Sequence, residues 1–257
     1  MGLLRAIRSL FAVLSCLLFL AIVAPLSLYL IVKPWTALQP RRRGELGALW
    51  VSQIARALVF FCRLGGATFK ISGQIDCAQP GVVIMNHQSV LEVAPLIYIL
   101  TPRLPRFVAR ARYAKWIPTV SPAIRFLDGI VIDPKRDRAA AVLALQQAAQ
   151  QGLRHAVMLF PEGHRTMDGE IAPFRPAGMI ALLEGRPMPV WTIVGDGFWR
   201  FRKVRDTLFG LGSVKGQVAV VECSMSPANP ADLPAFIEAR RQTMIRELAR
   251  MRAGAAI

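Results

Sequence analysis

The stretch Gly81–Glu92 reads GVVIMNHQSVLE and predicts the element around which the rest of the chain folds. Its apolar part, Gly81–Met85, has the length and composition of a strand that is buried on both faces. The polar turn Asn86–Gln88 follows, and Ser89 is a typical residue to cap a helix that begins there. A buried strand that runs into a turn and then a helix is the repeating unit of an α/β sheet.

On both sides of this stretch, from Gly66 to the end of the chain, short β-branched runs alternate with helical stretches. The predicted strands are Thr68–Ile71, Gly81–Met85, Arg106–Ala109, Gly129–Ile132, Ala156–Phe160, Val190–Val194 and Gln217–Val221. The predicted helices are Ser89–Ile99, Arg138–Gln151, with Asp137 to cap its start and Gly152 to end it, and Leu233–Arg252. This alternation predicts an α/β domain over residues 66–257, with a mostly parallel central sheet flanked by helices.

The segment Leu10–Val32 carries no charged residue, and its 23 residues are enough to cross a hydrocarbon core of roughly 30 Å as a helix. A secretory signal would have a shorter apolar core, so we expect the segment to be retained. Basic residues on both flanks, together with Pro25, leave open either a span or a bent segment that enters and leaves by one face. The heavier basic cluster after the segment, Arg41–Arg43, favours the cytoplasmic face of the cell membrane for the α/β domain.

A second apolar stretch, Leu46–Gly66, carries Gln53, Arg56 and Arg63. These polar residues favour an interfacial amphipathic helix over a second span. A core helix of the α/β domain is the alternative, and both stay open here. Residues 1–65 are therefore predicted to form a membrane-embedded helical unit in front of the α/β domain.

The composition narrows the possible partners. The chain has 257 residues, 32 Lys and Arg against 16 Asp and Glu, a net charge of +16, and 54% hydrophobic residues. The mean hydropathy of +0.40 excludes an intrinsically disordered chain. The positive net charge favours anionic lipids or phosphorylated substrates as partners. Nucleic acid is not an expected partner, because the basic residues are mostly dispersed and only 8% of the residues are aromatic. The four cysteines form no C-x-x-C pair, and no metal site is expected.

Two side chains around the polar turn are suited to general base chemistry. His87 lies at the carboxyl end of a strand, where open α/β sheets bind their ligands. Glu92 follows Ser89 by three residues and could hold one ring nitrogen of His87, which would leave the other nitrogen as a base. The spacing from Ser89 to Glu92 is also that of a capping box, which would give Glu92 a purely structural task. The sequence leaves both interpretations open.

A second strand-to-turn stretch reads HAVMLFPEGHRT, His155–Thr166. Its turn contains Glu162, Gly163, His164 and Arg165. Glycine lets the backbone approach an anion closely, and the planar guanidinium of Arg165 is suited to phosphate. The alternative is an ordinary surface turn with a Glu–Arg pair.

Taken together, NHQSVLE and FPEGHRT resemble the motifs of the glycerolipid acyltransferase family, whose best-known members are the 1-acylglycerol-3-phosphate acyltransferases. The resemblance covers about residues 65–200 and includes RFVARARYAKWIP (Arg106–Pro118), LDGIVIDPKRD (Leu127–Asp137), FRPAGMIALL (Phe174–Leu183) and PMPVWTIVG (Pro187–Gly195). It implies a membrane-bound enzyme that moves a fatty acyl group from acyl-CoA or acyl-carrier protein to a lysolipid hydroxyl. No cofactor and no covalent acyl-enzyme are implied.

The resemblance also implies roles for individual residues. His87 corresponds to the general base and Glu92 to its acidic partner, while Glu162, Gly163 and Arg165 correspond to the block that contacts the phosphate of the acceptor. His164 stands where the family commonly has Thr or Ser, and we expect it to belong to the same substrate-binding turn.

Two further departures from the family pattern concern the carboxylate and the acceptor. Glu92 stands where the family usually has Asp, so the carboxylate meets the imidazole from a different angle. Pro134 replaces an expected arginine, and Lys135 and Arg136, the next basic residues, are the substitute substrate-binding candidates. Lysophosphatidate, which would give phosphatidate, is the favoured acceptor. Another lysolipid, such as a lyso-ornithine lipid or a lysophospholipid, and a non-catalytic, membrane-tethered basic lipid-binding protein are the alternatives.

Overall fold

The computed structural model of the chain describes residues 2–150, 155–201 and 204–254. All seven predicted strands are present, and their ends differ from the prediction by a few residues. The strands are β1 (Thr68–Ser72), β2 (Val82–Met85), β3 (Arg106–Arg110), β4 (Ile130–Ile132), β5 (Val157–Leu159), β6 (Pro189–Asp196) and β7 (Lys215–Met225). β7 is the one that extends furthest beyond its predicted bounds.

The strands form one sheet in the order β1-β7-β6-β2-β5-β3-β4. Every pair of neighbours is parallel except β6 and β7, which are antiparallel. The predicted α/β fold with a mostly parallel sheet is therefore confirmed. Because β2 to β6 all run in the same direction, the segments that follow them emerge at one edge of the sheet, which we call the carboxyl edge.

The central strand β2 explains why its sequence is apolar without interruption. Successive side chains of a strand point to opposite faces. Val83 and Met85 belong to one buried cluster, together with residues of the amino-terminal helices. Val82 and Ile84 belong to a second cluster on the other face. All four are fully buried, so the continuous apolar run supplies both cores.

The α-helices in chain order are α1 (Gly2–Leu18), α2 (Ala24–Ser27), α3 (Lys33–Leu38), α4 (Arg43–Leu64), α5 (Val93–Leu100), α6 (Val120–Phe126), α7 (Arg138–Gln150), α8 (Pro176–Leu183), α9 (Val204–Gly210) and α10 (Leu233–Arg252). The predicted helix from Ser89 begins as a 3-10 turn, Val90–Glu92, and continues as α5. α10 has the predicted ends. Asp137 caps α7 as expected, because its Oδ1 accepts a hydrogen bond from Ala140 N at 2.9 Å. Gln151 and the predicted stop at Gly152 lie outside the described residues.

The amino-terminal segment is helical without a break from Leu3 to Leu38 and is long and apolar enough to cross a membrane. Two π-helical turns, Phe19–Val23 and Leu28–Val32, join α1, α2 and α3. Thr119 at the start of α6 donates a hydrogen bond to the carbonyl of Leu20 in the first of these turns, at 2.6 Å. The helical segment is thereby attached to the α/β domain.

The second apolar stretch forms α4, which also has the length and composition of a membrane span. Half of its most apolar 18-residue stretch is buried, and its packed face includes Trp50, Ile54 and Val59. Leu49 and Phe60 remain exposed on the other face. α4 thus has a core face and an exposed apolar face, so it combines features of both sequence interpretations. The domain division at residue 65 stays a prediction.

Candidate active site

The imidazole of His87 lies directly after β2 at the carboxyl edge. Its Nδ1 is 2.5 Å from Oε1 of Glu92. The ring stacks on Phe160, the residue that follows β5, with 4.0 Å between ring centroids and 21° between the planes. The side chain is 21% exposed, and within the described part of the chain no group bonds its Nε2. One nitrogen is therefore held by a carboxylate while the other is available to a substrate.

Glu92 is fully buried and makes the contacts of both interpretations that the sequence had left open. Its Oε2 accepts hydrogen bonds from the backbone N–H groups of Gln88 and Ser89, each at 2.9 Å. Ser89 completes the capping box with its own side chain. The other oxygen of the same carboxylate contacts the ring of His87. The capping box therefore fixes the carboxylate that orients the imidazole.

Two further polar residues of this turn, Asn86 and Gln88, attach it to β6 and the loop after it. The side chain of Asn86 donates to the carbonyl of Gly195 at 2.9 Å and accepts from its N–H at 2.8 Å. Gln88 Oε1 accepts from Phe198 N at 3.0 Å. Both side chains are buried. Sequence reasoning assigned neither a partner, although buried polar side chains at a strand end require one. We call residues 86–92 the histidine turn.

The second motif holds the main chain of His87 from both sides. Glu162 Oε1 accepts a hydrogen bond from His87 N at 2.8 Å, and Thr166 N donates to His87 O at the same distance. The turn that contains Arg165 lies between these two contacts. The structure thus brings together two motifs that are far apart in the sequence.

The carboxyl group of Glu162 is 1% exposed, and its second oxygen accepts from Ala172 N at 3.1 Å. Burial raises its pKa from 4.5 to about 7, while the N–H groups of His87 and Ala172 act in the opposite direction. The negative charge of Glu92 raises the pKa further, and Arg241 lowers it. With both oxygens bonded to backbone amides, these contacts favour a positioning role over direct contact with substrate.

The three residues after Glu162 differ in their surroundings. Gly163 has φ +71°, and a Cβ there would lie 3.0 Å from Cδ of Arg175, so a larger residue would be strained and crowded. The carbonyl of Gly163 accepts a hydrogen bond from Arg110. His164 is exposed, and Arg165 is partly buried. These residues form the outer surface of the second turn.

Lys135 and Arg136 follow β4 and line a pocket of about 400 Å³. The other lining residues are Arg110, Ala111, Arg112 and Asp133, and we call this set the basic pocket. Arg110 connects the basic pocket to the second turn through its bond to Gly163. Sequence reasoning missed Arg110 and Arg112. Arg110 ends β3 and Arg112 follows it, and this position at the carboxyl end of a predicted strand is the signal that could have identified them.

Comparisons with known proteins identify related sequences and a related fold. Residues 68–194, which include both turns and the basic pocket, match a family model described as Acyltransferase. Human 1-acyl-sn-glycerol-3-phosphate acyltransferase beta is 24% identical over 171 residues, which are 65% of this chain and 59% of that protein. The mouse 1-acyl-sn-glycerol-3-phosphate acyltransferase alpha is 28% identical over 170 residues, which are 65% of this chain and 58% of that protein. The match thus spans about three fifths of the length of these relatives.

A solved structure extends the likeness in fold to almost the whole chain. The 1-acyl-sn-glycerophosphate (LPA) acyltransferase PlsC from Thermotoga maritima superposes with a TM-score of 0.73. The superposition covers 97% of this chain and 98% of that protein, at 18% sequence identity. It therefore includes the amino-terminal helices and α10, which lie outside the family match.

Proposed function

Because the chain belongs to the acyltransferase family, we propose that it transfers a fatty acyl group from a thioester to the hydroxyl of a lysolipid. The proposed donor is acyl-CoA or acyl-carrier protein. The favoured acceptor is 1-acylglycerol-3-phosphate, which would give phosphatidate. The observation that carries the proposal is the 2.5 Å contact between His87 Nδ1 and Glu92 Oε1, with Nε2 of the same ring unpaired within the described residues.

The reaction follows from this arrangement. With the proton of the ring held on Nδ1 by Glu92, Nε2 of His87 removes the proton of the acceptor hydroxyl as its oxygen attacks the thioester carbonyl. The carboxylate stabilises the imidazolium that forms. When the tetrahedral intermediate collapses, the C–S bond breaks, and the imidazolium returns its proton to the departing thiolate. The products are an ester and a free thiol, and no residue is acylated.

The basic pocket supports a phosphorylated acceptor. Its four cationic side chains outnumber the single carboxylate of Asp133. Charge-assisted hydrogen bonds from arginine to phosphate are stronger than those between neutral groups. We propose that Arg110, Lys135 and Arg136 bind the headgroup and that Arg165 contributes from the adjacent turn.

A second acceptor is favoured by one observation in the same pocket. The carboxylate of Asp133 lies among the basic side chains, next to Pro134, where the family has an arginine. A carboxylate would pair with an amino group, as in a lyso-ornithine lipid or an aminated lysophospholipid. Such a lysolipid is therefore the alternative acceptor.

We also propose that the protein is bound to the cell membrane, with its α/β domain on the cytoplasmic face. Large apolar side chains stay exposed along the helical segment Leu3–Leu38. They include Leu4, Phe11, Leu18, Ile22, Leu26 and Leu30. A pocket of about 590 Å³ next to this segment adds three basic side chains, those of Lys33, Arg43 and Arg125. Apolar contact with lipid chains, together with attraction to anionic headgroups, would hold the site where a single-chain lipid resides.

The test is transfer of labelled oleoyl-CoA to a panel of lysolipids by the purified protein in detergent. His87→Ala removes the base and is expected to lower the rate by at least about 10²-fold. His155→Ala changes an exposed histidine before β5 and is the matched control, with an expected rate close to that of the unchanged protein. Transfer that survives His87→Ala would overturn the mechanism. Absence of transfer to every lysolipid, with retained binding to anionic vesicles, would instead indicate a lipid-binding protein.

A further inference from the structure

Arg252, at the end of α10, contacts the carboxyl edge although it lies outside the family match. Its guanidinium makes two bonds to the carboxylate of Asp196, the last residue of β6, each at 3.2 Å. It also donates to Glu170 Oε1 at 2.5 Å and to the carbonyl of Gly169 at 2.8 Å. One side chain therefore joins the end of β6 to the loop that begins at Gly169.

Gln88 of the histidine turn uses the same two acceptors from the other side. Its Nε2 donates to Oδ1 of Asp196 at 3.1 Å and to the carbonyl of Gly169 at 3.3 Å. Gln88 is fully buried, while the side chain of Arg252 is 34% exposed. The backbone N–H of Gln88 donates in turn to Glu92, the carboxylate that contacts the His87 ring. A continuous set of contacts thus runs from Arg252 to the imidazole.

A second arginine of α10 holds the other end of the same loop. Arg241 donates to the carbonyl of Ala172 at 3.1 Å and to that of Ile171 at 3.3 Å. Ala172 N donates to Glu162, which accepts the N–H of His87. α10 is therefore connected to the main chain of His87 through residues 171–172 and Glu162. It is connected to the side chain of His87 through Gln88 and Glu92.

We propose that Arg252 is a positioning residue for acyl transfer, which acts through Asp196 and Gln88 on the His87–Glu92 pair. Asp196 is 13% exposed on its side chain, so its negative charge is poorly compensated by water and depends on the guanidinium. Without that cation, Asp196 and Gly169 would separate from Gln88, and Glu92 would lose the fixed backbone that holds it. The imidazole would then be misplaced in the reacting complex, and small misplacements of a reacting group reduce turnover strongly.

The kinetic test compares two arginines of the same helix and rests on the proposed acyl transfer. Arg252→Gln is expected to lower kcat at least tenfold, with KM for the acyl donor and the lysolipid within twofold. Arg250→Gln is the matched control, because Arg250 is exposed and pairs with Glu247 on its own helix. It should leave kcat within twofold. Guanidinium ion, added at a non-denaturing concentration, is expected to restore part of the kcat of Arg252→Ala and to leave that of the unchanged protein unaffected.

A readout that does not depend on activity is the reaction of His87 with diethyl pyrocarbonate, followed by mass spectrometry. Arg252→Gln should increase the labelling rate of His87 about threefold or more relative to exposed His164, and Arg250→Gln should not. A kcat of Arg252→Gln within twofold of the unchanged protein, or unchanged labelling of His87, would overturn the proposal. If the unchanged protein transfers no acyl group, this result would count against the proposed function alone, and the labelling of His87 would then decide the role of Arg252.

Discussion

The histidine turn and the basic pocket lie at the same edge of the sheet but are built differently. In the histidine turn, Asn86, Gln88, Ser89 and Glu92 are each at most 2% exposed. The first three are hydrogen-bonded to β6 and the loop after it, and Glu92 is hydrogen-bonded to the turn itself. In the basic pocket, Lys135 and Arg136 are exposed, and no carboxylate within the described residues pairs with them. Proton transfer requires accurate geometry, whereas a charged headgroup is bound by flexible cations that adapt to it.

This contrast predicts that the largest loss of turnover comes from changes inside the histidine turn. Glu92→Gln is expected to lower kcat by about 10²–10⁴-fold, because the carboxamide NH₂ would donate to Nδ1 of His87 and place the ring proton on Nε2. The free energy of unfolding should change by less than about 1 kcal/mol, since glutamine also serves in a capping box. Steady-state kinetics and urea denaturation measure the two effects. Glu247→Gln on α10 is the control, and a kcat within threefold for Glu92→Gln would mean that Glu92 is only a cap.

The second prediction concerns the buried carboxyl group that holds the main chain of His87. The folded pKa of Glu162 is raised from 4.5 to about 7, so between these pH values the folded protein binds more protons than the unfolded chain. The stabilisation is fully present below pH 4.5, and it is lost as the pH rises to about 7. The contribution of Glu162 is on the order of 3 kcal/mol.

Urea denaturation from pH 4 to 8 tests this, with Glu162→Gln in parallel. Glutamine at position 162 cannot ionise. The variant's free energy of unfolding should therefore lack the part of the pH dependence that comes from Glu162. Identical pH profiles for the two proteins would show that the carboxyl group titrates normally in the folded state.

The third prediction tests recognition in the basic pocket. Arg136→Gln should raise KM for lysophosphatidate about tenfold, which corresponds to the loss of one hydrogen bond to a charged group, and should leave kcat within about threefold. The increase should shrink at high salt, because the pocket is exposed. Arg138→Gln, in the first turn of α7 and outside the pocket, is the control. An equal effect on KM in both variants would mean that general charge, and not the pocket, attracts the acceptor.

The smallest effect is expected at His164. Its ring is exposed, and its Nδ1 contacts the carbonyl of the adjacent Arg165 at 3.4 Å. His164→Ala should change kcat and KM by no more than about twofold, as is usual for an exposed side chain with few contacts. A rise in KM for the acceptor comparable to that of Arg136→Gln would identify His164 as a phosphate ligand.

The strands and α10 were predictable because each depends on a local pattern. The run Val82–Met85 is apolar throughout because both faces of β2 are covered, and this is visible in a few consecutive residues. The antiparallel pairing of β6 with β7 was not predictable, because it depends on contacts between segments that are distant in the chain. β7 is longer than predicted for the same reason, because it extends along β6.

The candidate site shows the same division. The proximity of His87 and Glu92 follows from their spacing across a helix start, which a sequence displays directly. The partners of Glu162 and Gln88 do not follow from spacing. The residues around Glu162 have the composition of a surface turn. Glu162 is nevertheless buried, and its Oε1 accepts a hydrogen bond from His87 N. Gln88 meets Asp196 and Arg252 only because β6 lies beside β2 and α10 ends at that edge.

The sequence alone therefore determined the seven strands, the helices α5, α7 and α10, the α/β class and the candidate site residues. Hydrophobic periodicity, capping and turn chemistry operate within a few residues, which is why these features were predictable. Only the tertiary structure decided that the two turns share the main chain of one histidine, that a basic pocket adjoins them, and that α10 supports them from outside the family match. These arrangements depend on which strands become neighbours in the sheet. That choice is made by burying apolar surface across the whole chain and not by any single stretch of it.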